Sequence, residues 1–245
     1  MKKEKIISIS QPTFLPWTGL FDLIDSVEKF IFLNDVQFAN RSWQQRNKII
    51  SNGSIIWITL PVFKNERSQL INETKISTEV KYKNKLIKKI KHSYSKSKYY
   101  KNYIDEFENK FTECLNLKFL DHLNIELIKW FMDKIGIKTE LHKSSDLNIT
   151  KRKSLKLINI CKYFGSSEYL SSYGAIDYLK PDLNLFEKEN INVYLQNYET
   201  INYNQFSTKF YKYASILDML FNEGPNTLKL IRSGRKDKIN LNEIV

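Results

Sequence analysis

The sequence predicts an α/β protein with a Rossmann-like, mainly parallel sheet and a helical insertion. Three observations predict it. Short apolar runs alternate with helically spaced segments between Ile6 and Leu60. The middle of the chain is helical almost without interruption. The strand-and-helix alternation returns after Gly136.

Taken in order, Lys5-Ile6-Ile7-Ser8-Ile9-Ser10 is a short strand broken by Gln11-Pro12. Pro16-Trp17-Thr18-Gly19 punctuates the chain again, and Leu20, Leu23, Ile24 and Val27 share one face of a helix. Phe30-Ile31-Phe32-Leu33 is a buried strand ending at Asn34-Asp35, and Ile55 to Leu60 is a third strand closed by Pro61. Residues 62–78 have no period and read as a long polar loop, a length that points to function or mobility. Leu86, Ile90 and Tyr94 fall four apart, and Leu120, Leu123, Leu127, Trp130 and Phe131 form a stripe running to Ile135, where Gly136 stops it. The Lys-rich face between Lys81 and Lys91 reads as solvated surface.

Thr139-Glu140-Leu141 is a weak strand. Residues 151–164 are a helix with Leu155, Ile158, Cys161 and Tyr163-Phe164 facing inward, ended by Gly165. Tyr169-Leu170 and Val193-Tyr194-Leu195 are further strands. A helix near 213–222 carries Asp218, which reads as a cap or a Lys partner. Another helix starts beyond Gly224-Pro225, and 235–245 is a loose tail. The expected parts are 1–78 (α/β, with motif loops), 79–136 (helical insertion), 137–234 (α/β) and the tail.

At 245 residues, 42% hydrophobic and 13% aromatic, the chain can bury a real core. No apolar run approaches the roughly 18 residues of a membrane span. The basic start, Met1 to Lys5, leads into a stretch too short for a signal-peptide core. Cys114 and Cys161 cannot staple a secreted scaffold, so a cytoplasmic location is expected. The net charge of +12, from 39 Lys plus Arg against 27 Asp plus Glu, favours an acidic partner. An AT-rich coding sequence accounts for much of the Lys, so the six arginines say more.

No Gly-rich phosphate loop, zinc spacing or nucleophile elbow occurs, so neither a metal nor a tightly held cofactor is expected. Among three histidines, His92 in Lys91-His92-Ser93-Tyr94 is the candidate catalyst. Two clusters carry the functional reading. The first, Ser10 to Gly19, follows a strand and opens a helix, where ligands of α/β sheets sit. There Gln11 can fix a polar group, and Trp17 either walls a site or plugs the core. The second, Asn34 to Asn47, holds Asp35, Gln37, Arg41, Trp43, Arg46 and Asn47, a density of planar hydrogen-bonding groups with little structural reason. Arg41 and Arg46 offer forks for phosphate, Trp43 a stacking face, and Asp35 a base or an arginine partner. Further on, Ser171 and Tyr173 lie where a strand end turns into a helix.

The chain resembles the WbqC-like protein family over nearly its whole length. The resemblance rests on Gln11-Pro12-Thr13-Phe14-Leu15-Pro16-Trp17-Thr18-Gly19, then Asp35-Val36-Gln37-Phe38, Arg41-Ser42-Trp43 and Arg46-Asn47. Leu123-Asn124, Ser144-Ser145-Asp146-Leu147, Ile160-Cys161-Lys162, Tyr203-Asn204-Gln205 and Ser215-Ile216-Leu217-Asp218 continue it. It implies a role in bacterial O-antigen or other surface-polysaccharide clusters, with glycyl transfer onto an amino sugar as a proposed activity. Many members carry His or Met where this chain has Ser10, so a catalytic His there is not expected. A looser likeness to HIGH-motif nucleotidyltransferases puts that motif's histidines at Trp17 and Leu20, which excludes their chemistry.

The expectation is therefore an acyl or aminoacyl transferase, possibly glycyl, that forms an amide on a nucleotide-linked amino sugar. Asp35 accepts the amine proton, Arg41 or Arg46 holds the diphosphate, and Gln11 or Asn47 orients the acyl carbonyl. The donor stays open: an activated amino acid, an aminoacyl-tRNA or an acyl-carrier-protein thioester. The alternative is a non-catalytic sugar-nucleotide or RNA-binding protein, which the Tyr- and Lys-rich stretch from Tyr94 to Tyr103 would suit.

Overall fold

The computed structural model describes residues 6–63, 68–77 and 79–244. The expected basic end, four residues and Thr78 of the long polar segment, and the last residue lie outside them. The elements run β1 (Ile6–Ser10), α1 (Thr18–Asp25), β2 (Lys29–Phe32), β3 (Arg46–Ser51), β4 (Ser54–Thr59), α2 (Val80–Tyr94), α3 (Tyr100–Leu115), α4 (Leu120–Ile135) and β5 (Glu140–Lys143). There follow α5 (Lys153–Tyr163), β6 (Glu168–Ser171), α6 (Ile176–Leu179), α7 (Leu183–Lys188), β7 (Asn192–Leu195), α8 (Ile216–Glu223), α9 (Thr227–Ser233) and β8 (Ile239–Asn240).

Six strands form one sheet in the order β5-β2-β1-β6-β7-β8, parallel throughout except for β8. Ile7 of β1 registers with Lys29 on one side and Tyr169 on the other. The chain builds outward from β1 to β2 and β5, then returns to the far side of β1 for β6 and β7. The strand alternation explains the layers. Ile7, Ile9 and Ile31 point to a core shared with Ile158, Cys161 and Phe186 of α5 and α7. Phe30 and Phe32 point the other way, into a larger core with Phe21, Phe131 and Phe221 of α1, α4 and α8. Each such side chain, fully buried, stabilises the fold by about 2–3 kcal/mol. Residues of α2, α3 and α4 pack into this same larger core, and Gly136 ends α4 in the left-handed region at φ 85°.

Three expectations are corrected here. The segment from Ile55 to Leu60 is not a third parallel strand. It forms β4, which pairs antiparallel with β3 in a separate two-stranded hairpin, Lys48 opposite Trp57. Asn52 and Gly53 both take positive φ, 49° and 74°, the two-residue turn that can join only antiparallel arms. In α5 the inward face is Leu157, Ile158, Ile160 and Cys161, while Leu155 and Tyr163 are exposed. Residues 235–244 are not a loose tail. β8 adds the antiparallel edge strand, Leu241 is fully buried, and Arg235 pairs with Asp22 and Asp25 of α1 at 2.7 and 2.6 Å.

Asp218, in the first turn of α8, has no Lys partner among the described residues. The Tyr203 hydroxyl donates to it at 2.6 Å, in a pocket shared with the buried Tyr94. Burial pushes the Asp218 carboxyl up to about 7, although the bonds from Tyr203 and Gln205 pull it back. The folded state therefore holds this proton between the ordinary carboxylate range and neutrality, whereas the unfolded chain releases it. The associated stability is complete at acid pH and is lost as pH rises through 7. At about 1.4 kcal/mol per pH unit of displacement, the effect is on the order of 4 kcal/mol. Asp218→Asn should flatten this loss, read as urea midpoints at mildly acidic and alkaline pH. Equal midpoint shifts in wild type and variant would refute it.

Candidate functional site

A cleft of about 290 Å³ opens beyond the C-terminal ends of β1, β6 and β7, against the start of α1. It lies where the strand order reverses at β1, the usual ligand position in open α/β sheets. Trp17, Leu20 and Leu23 form an apolar wall, Trp43 and Tyr213 stand at the rim, and Ser10, Thr13, Asn47, Ser172 and Gln196 supply polar atoms.

The wall is built by the Pro-rich loop. Trp17 precedes the first turn of α1, and its indole lies against Gly19, with Tyr198 and Tyr213 edge-on at 5.6 and 5.0 Å. The Pro16 carbonyl accepts from the Ile216 amide at 2.7 Å, and the Lys48 carbonyl from the Ser215 amide at 2.9 Å. The start of α8 thus fastens the loop to the hairpin. From below, Asn124 of α4 donates to the carbonyls of Pro12 and Gln44 at 3.1 and 2.8 Å.

These contacts give the dense amides a structural purpose that the sequence did not reveal. Gln44 donates to the Gln11 side chain at 2.8 Å and accepts from the Ala39 amide, while Gln45 accepts from the Arg41 amide. Asn47 donates to the Phe14 carbonyl at 3.1 Å and also faces the cleft. Much of the second cluster therefore holds two loops together.

Residues 11–230, beginning at Gln11 of this loop, match the WbqC-like protein family. The chain belongs to that family. Over 233 residues it is also 31% identical to the uncharacterized protein Rv1507c of Mycobacterium tuberculosis, covering 93% of this chain and 99% of that one. The β8 strand and Arg235 lie beyond the family match, although Arg235 braces α1 behind the cleft.

Of the residues singled out in this WbqC-like protein, Trp17, Trp43 and Asn47 line the cleft, and Gln11 braces its loop. Ser171 is buried, its hydroxyl accepting from Tyr169, and the neighbouring Ser172 faces the cleft instead. Tyr173, Gln37 and Arg41 are exposed and do not line it. His92 is exposed on α2, away from the cleft walls. Arg46 stacks its guanidinium 4.2 Å from the Trp57 ring, on the hairpin's outer face.

Asp35 holds neither Arg41 nor Arg46. It pairs with Lys156 of α5, whose side chain is only 7% exposed, and accepts from the Ser144 hydroxyl. Its carboxylate serves the β2–β5 side of the sheet rather than the cleft. Lys156 was not foreseen, because nothing in the sequence separates it from its exposed neighbours Lys151 and Lys153.

Gln196 was also missed; its only signal is its place just after β7. It donates to the Gly19 carbonyl at 2.8 Å and the Asp22 carboxylate at 2.6 Å. Burial raises the Asp22 carboxyl, with Gln196 and Arg235 opposing the rise. Both Gln196 N–H groups are thus engaged, which leaves its oxygen as an acceptor for a ligand.

Among the described residues no carboxylate, imidazole or thiol lines the cleft. Cys114 and Cys161 are buried, and burial pushes both thiols up to about 12, far from a reactive thiolate. Among the described residues no three His, Cys, Asp or Glu side chains gather to share a metal ion, and no helix is long and apolar enough to cross a membrane.

Proposed function

We propose that this WbqC-like protein is an acyl or aminoacyl transferase, forming an amide on a nucleotide-linked amino sugar held in the cleft. The step belongs in the cytoplasm, in the making of a bacterial surface polysaccharide such as O-antigen. We read the sheet order, with its reversal at β1, as Rossmann-like. The observation that carries the proposal is the cleft at that reversal: indole and tyrosine walls around hydroxyl and amide groups, the surface a sugar and a base require.

Roles follow from donor inventories. The hydroxyls of Ser10, Thr13 and Ser172 and the side-chain amide of Asn47 suit a pyrophosphate or a developing oxyanion. The Gln196 oxygen accepts from a sugar hydroxyl or amine. The acceptor amine reacts in its neutral form, and the protein contributes position. The donor is an already activated acyl group: an amino acid ester, an aminoacyl-tRNA or an acyl-carrier thioester.

A thermal-shift screen against nucleotide-linked amino sugars tests the acceptor, since a binder raises the melting temperature by mass action. A shift lost in Asn47→Ala supports the site. Mass spectrometry after addition of activated acyl donors then looks for the amide, at a rate rising with pH along the acceptor amine's own titration. Binding without amide formation under any donor would favour the second reading, a non-catalytic sugar-nucleotide binder. No shift with any sugar nucleotide would sink both.

A further inference from the structure

The outer face of the β3–β4 hairpin carries two indoles that the core does not use. Trp43 and Trp57 are 46% and 39% exposed, their ring centroids 5.4 Å apart. Residues alternate across a strand, so Arg46 and Lys48 share the outer face of β3 while Ile49 points inward. Arg46 lies over Trp57, and the Lys48 ammonium sits 5.4 Å from the Trp57 ring and 5.7 Å from the Trp43 ring. Lys89 of α2 donates to the Trp57 carbonyl at 2.5 Å, and its ammonium is disfavoured by burial and by the neighbouring Lys85.

Elsewhere Lys91, Lys134 and Lys212 pair with glutamates, and Arg232 and Arg235 with aspartates. Among the described residues, none of Arg46, Lys48, Lys85 and Lys89 is in an ion pair with a carboxylate. Two half-exposed indoles ringed by these cations match unstacked bases joined by phosphates. A duplex would present phosphates to the cations but no base faces to the rings. Trp43 also stands at the rim of the cleft, so a strand lying on the hairpin would bring its end to the cleft mouth.

We propose that the hairpin face, Trp43 and Trp57 with Arg46, Lys48, Lys85 and Lys89, binds single-stranded RNA. Resting on the function proposed above, this RNA is the acyl carrier. The sugar amine attacks the ester carbonyl carbon, and the carbon–nitrogen bond forms as the carbon–oxygen bond breaks. The electron pair leaves on the terminal ribose oxygen, which takes up the proton the nitrogen gives.

Fluorescence anisotropy of a short labelled oligoadenylate, alone and annealed to oligouridylate, tests the binding surface. The single strand should bind at least tenfold more tightly than the duplex. Trp57→Ala should weaken single-strand binding about tenfold or more, and Trp57→Phe should restore most of it. Lys48→Glu with Lys89→Glu should weaken it further and reduce the salt slope. Equal affinity for single strand and duplex, or a Trp57→Ala protein binding like wild type, overturns the proposal. Trp57 lies outside the cleft, so the sugar-nucleotide thermal shift should survive in Trp57→Ala. That readout also reports folding, and it separates failure of the RNA surface from failure of the cleft assignment.

Discussion

Gly19→Ala is expected to abolish ligand binding in the cleft and lower the melting temperature. On helix propensity alone the change should stabilise α1 by about 1 kcal/mol. Packing reverses the sign. A Cβ at position 19 would come 2.2 Å from the Cη2 and Cζ2 atoms of the Trp17 indole. The ring cannot slide away sideways, because Tyr198 and Tyr213 hold it edge-on. It must move outward, into the space a ligand would use. Such overpacking typically costs about 1–3 kcal/mol, or roughly 2–10 °C in a chain of this size. Gly174→Ala is the matched control, since a Cβ there meets nothing within 4 Å and the backbone is not left-handed. A Gly19→Ala protein that melts like wild type and still gives a sugar-nucleotide shift would show that Trp17 does not wall the site.

Lys156→Met should be the most destabilising of the single changes considered. It leaves the Asp35 carboxylate, 19% exposed, beside the Ser144 hydroxyl with no cation. Breaking a buried pair on one side costs about 3–5 kcal/mol, and Asp35's residual exposure places this case towards the lower end. The double change Asp35→Asn with Lys156→Met removes the stranded charge and should recover most of the loss, because a buried pair adds little net stability over neutral residues. Urea unfolding of the two variants measures this. Equal destabilisation in single and double variants would mean that the pair does more than balance itself.

The apolar runs around Ile7, Phe30, Tyr169 and Val193 became strands as the sequence suggested, because each is short, bounded by turn residues and buried on both faces. The hairpin was harder to see. Arg46, Asn47 and Lys48 hide a strand behind polar side chains, and the signal that could have found it is the Asn52-Gly53 turn. The inward face of α5 was misjudged because its Lys and Leu residues alternate closely enough to support more than one face. The site was legible in part. Trp17, Trp43 and Asn47 lie in or beside the two motif loops, and all three line the cleft. Lys156 and Gln196 come from distant segments, and only the folded chain brings them to Asp35 and Asp22. The amides between Gln37 and Asn47 looked functional because amide density alone does not say whether the partner is a ligand or another loop.

The central position of β1 has a consequence for synthesis. One of its neighbours, β2, emerges from the ribosome almost at once. The other, β6, lies about 160 residues further on, pairing Ile7 with Tyr169. Until then a hydrophobic strand carries an open edge while α2, α3 and α4 are still being made. The nascent stretch from β1 to α4 is thus a natural client for chaperones. The cleft, which draws Ser10 from one side of that junction and Ser172 and Gln196 from the other, can exist only once Gln196 has been made.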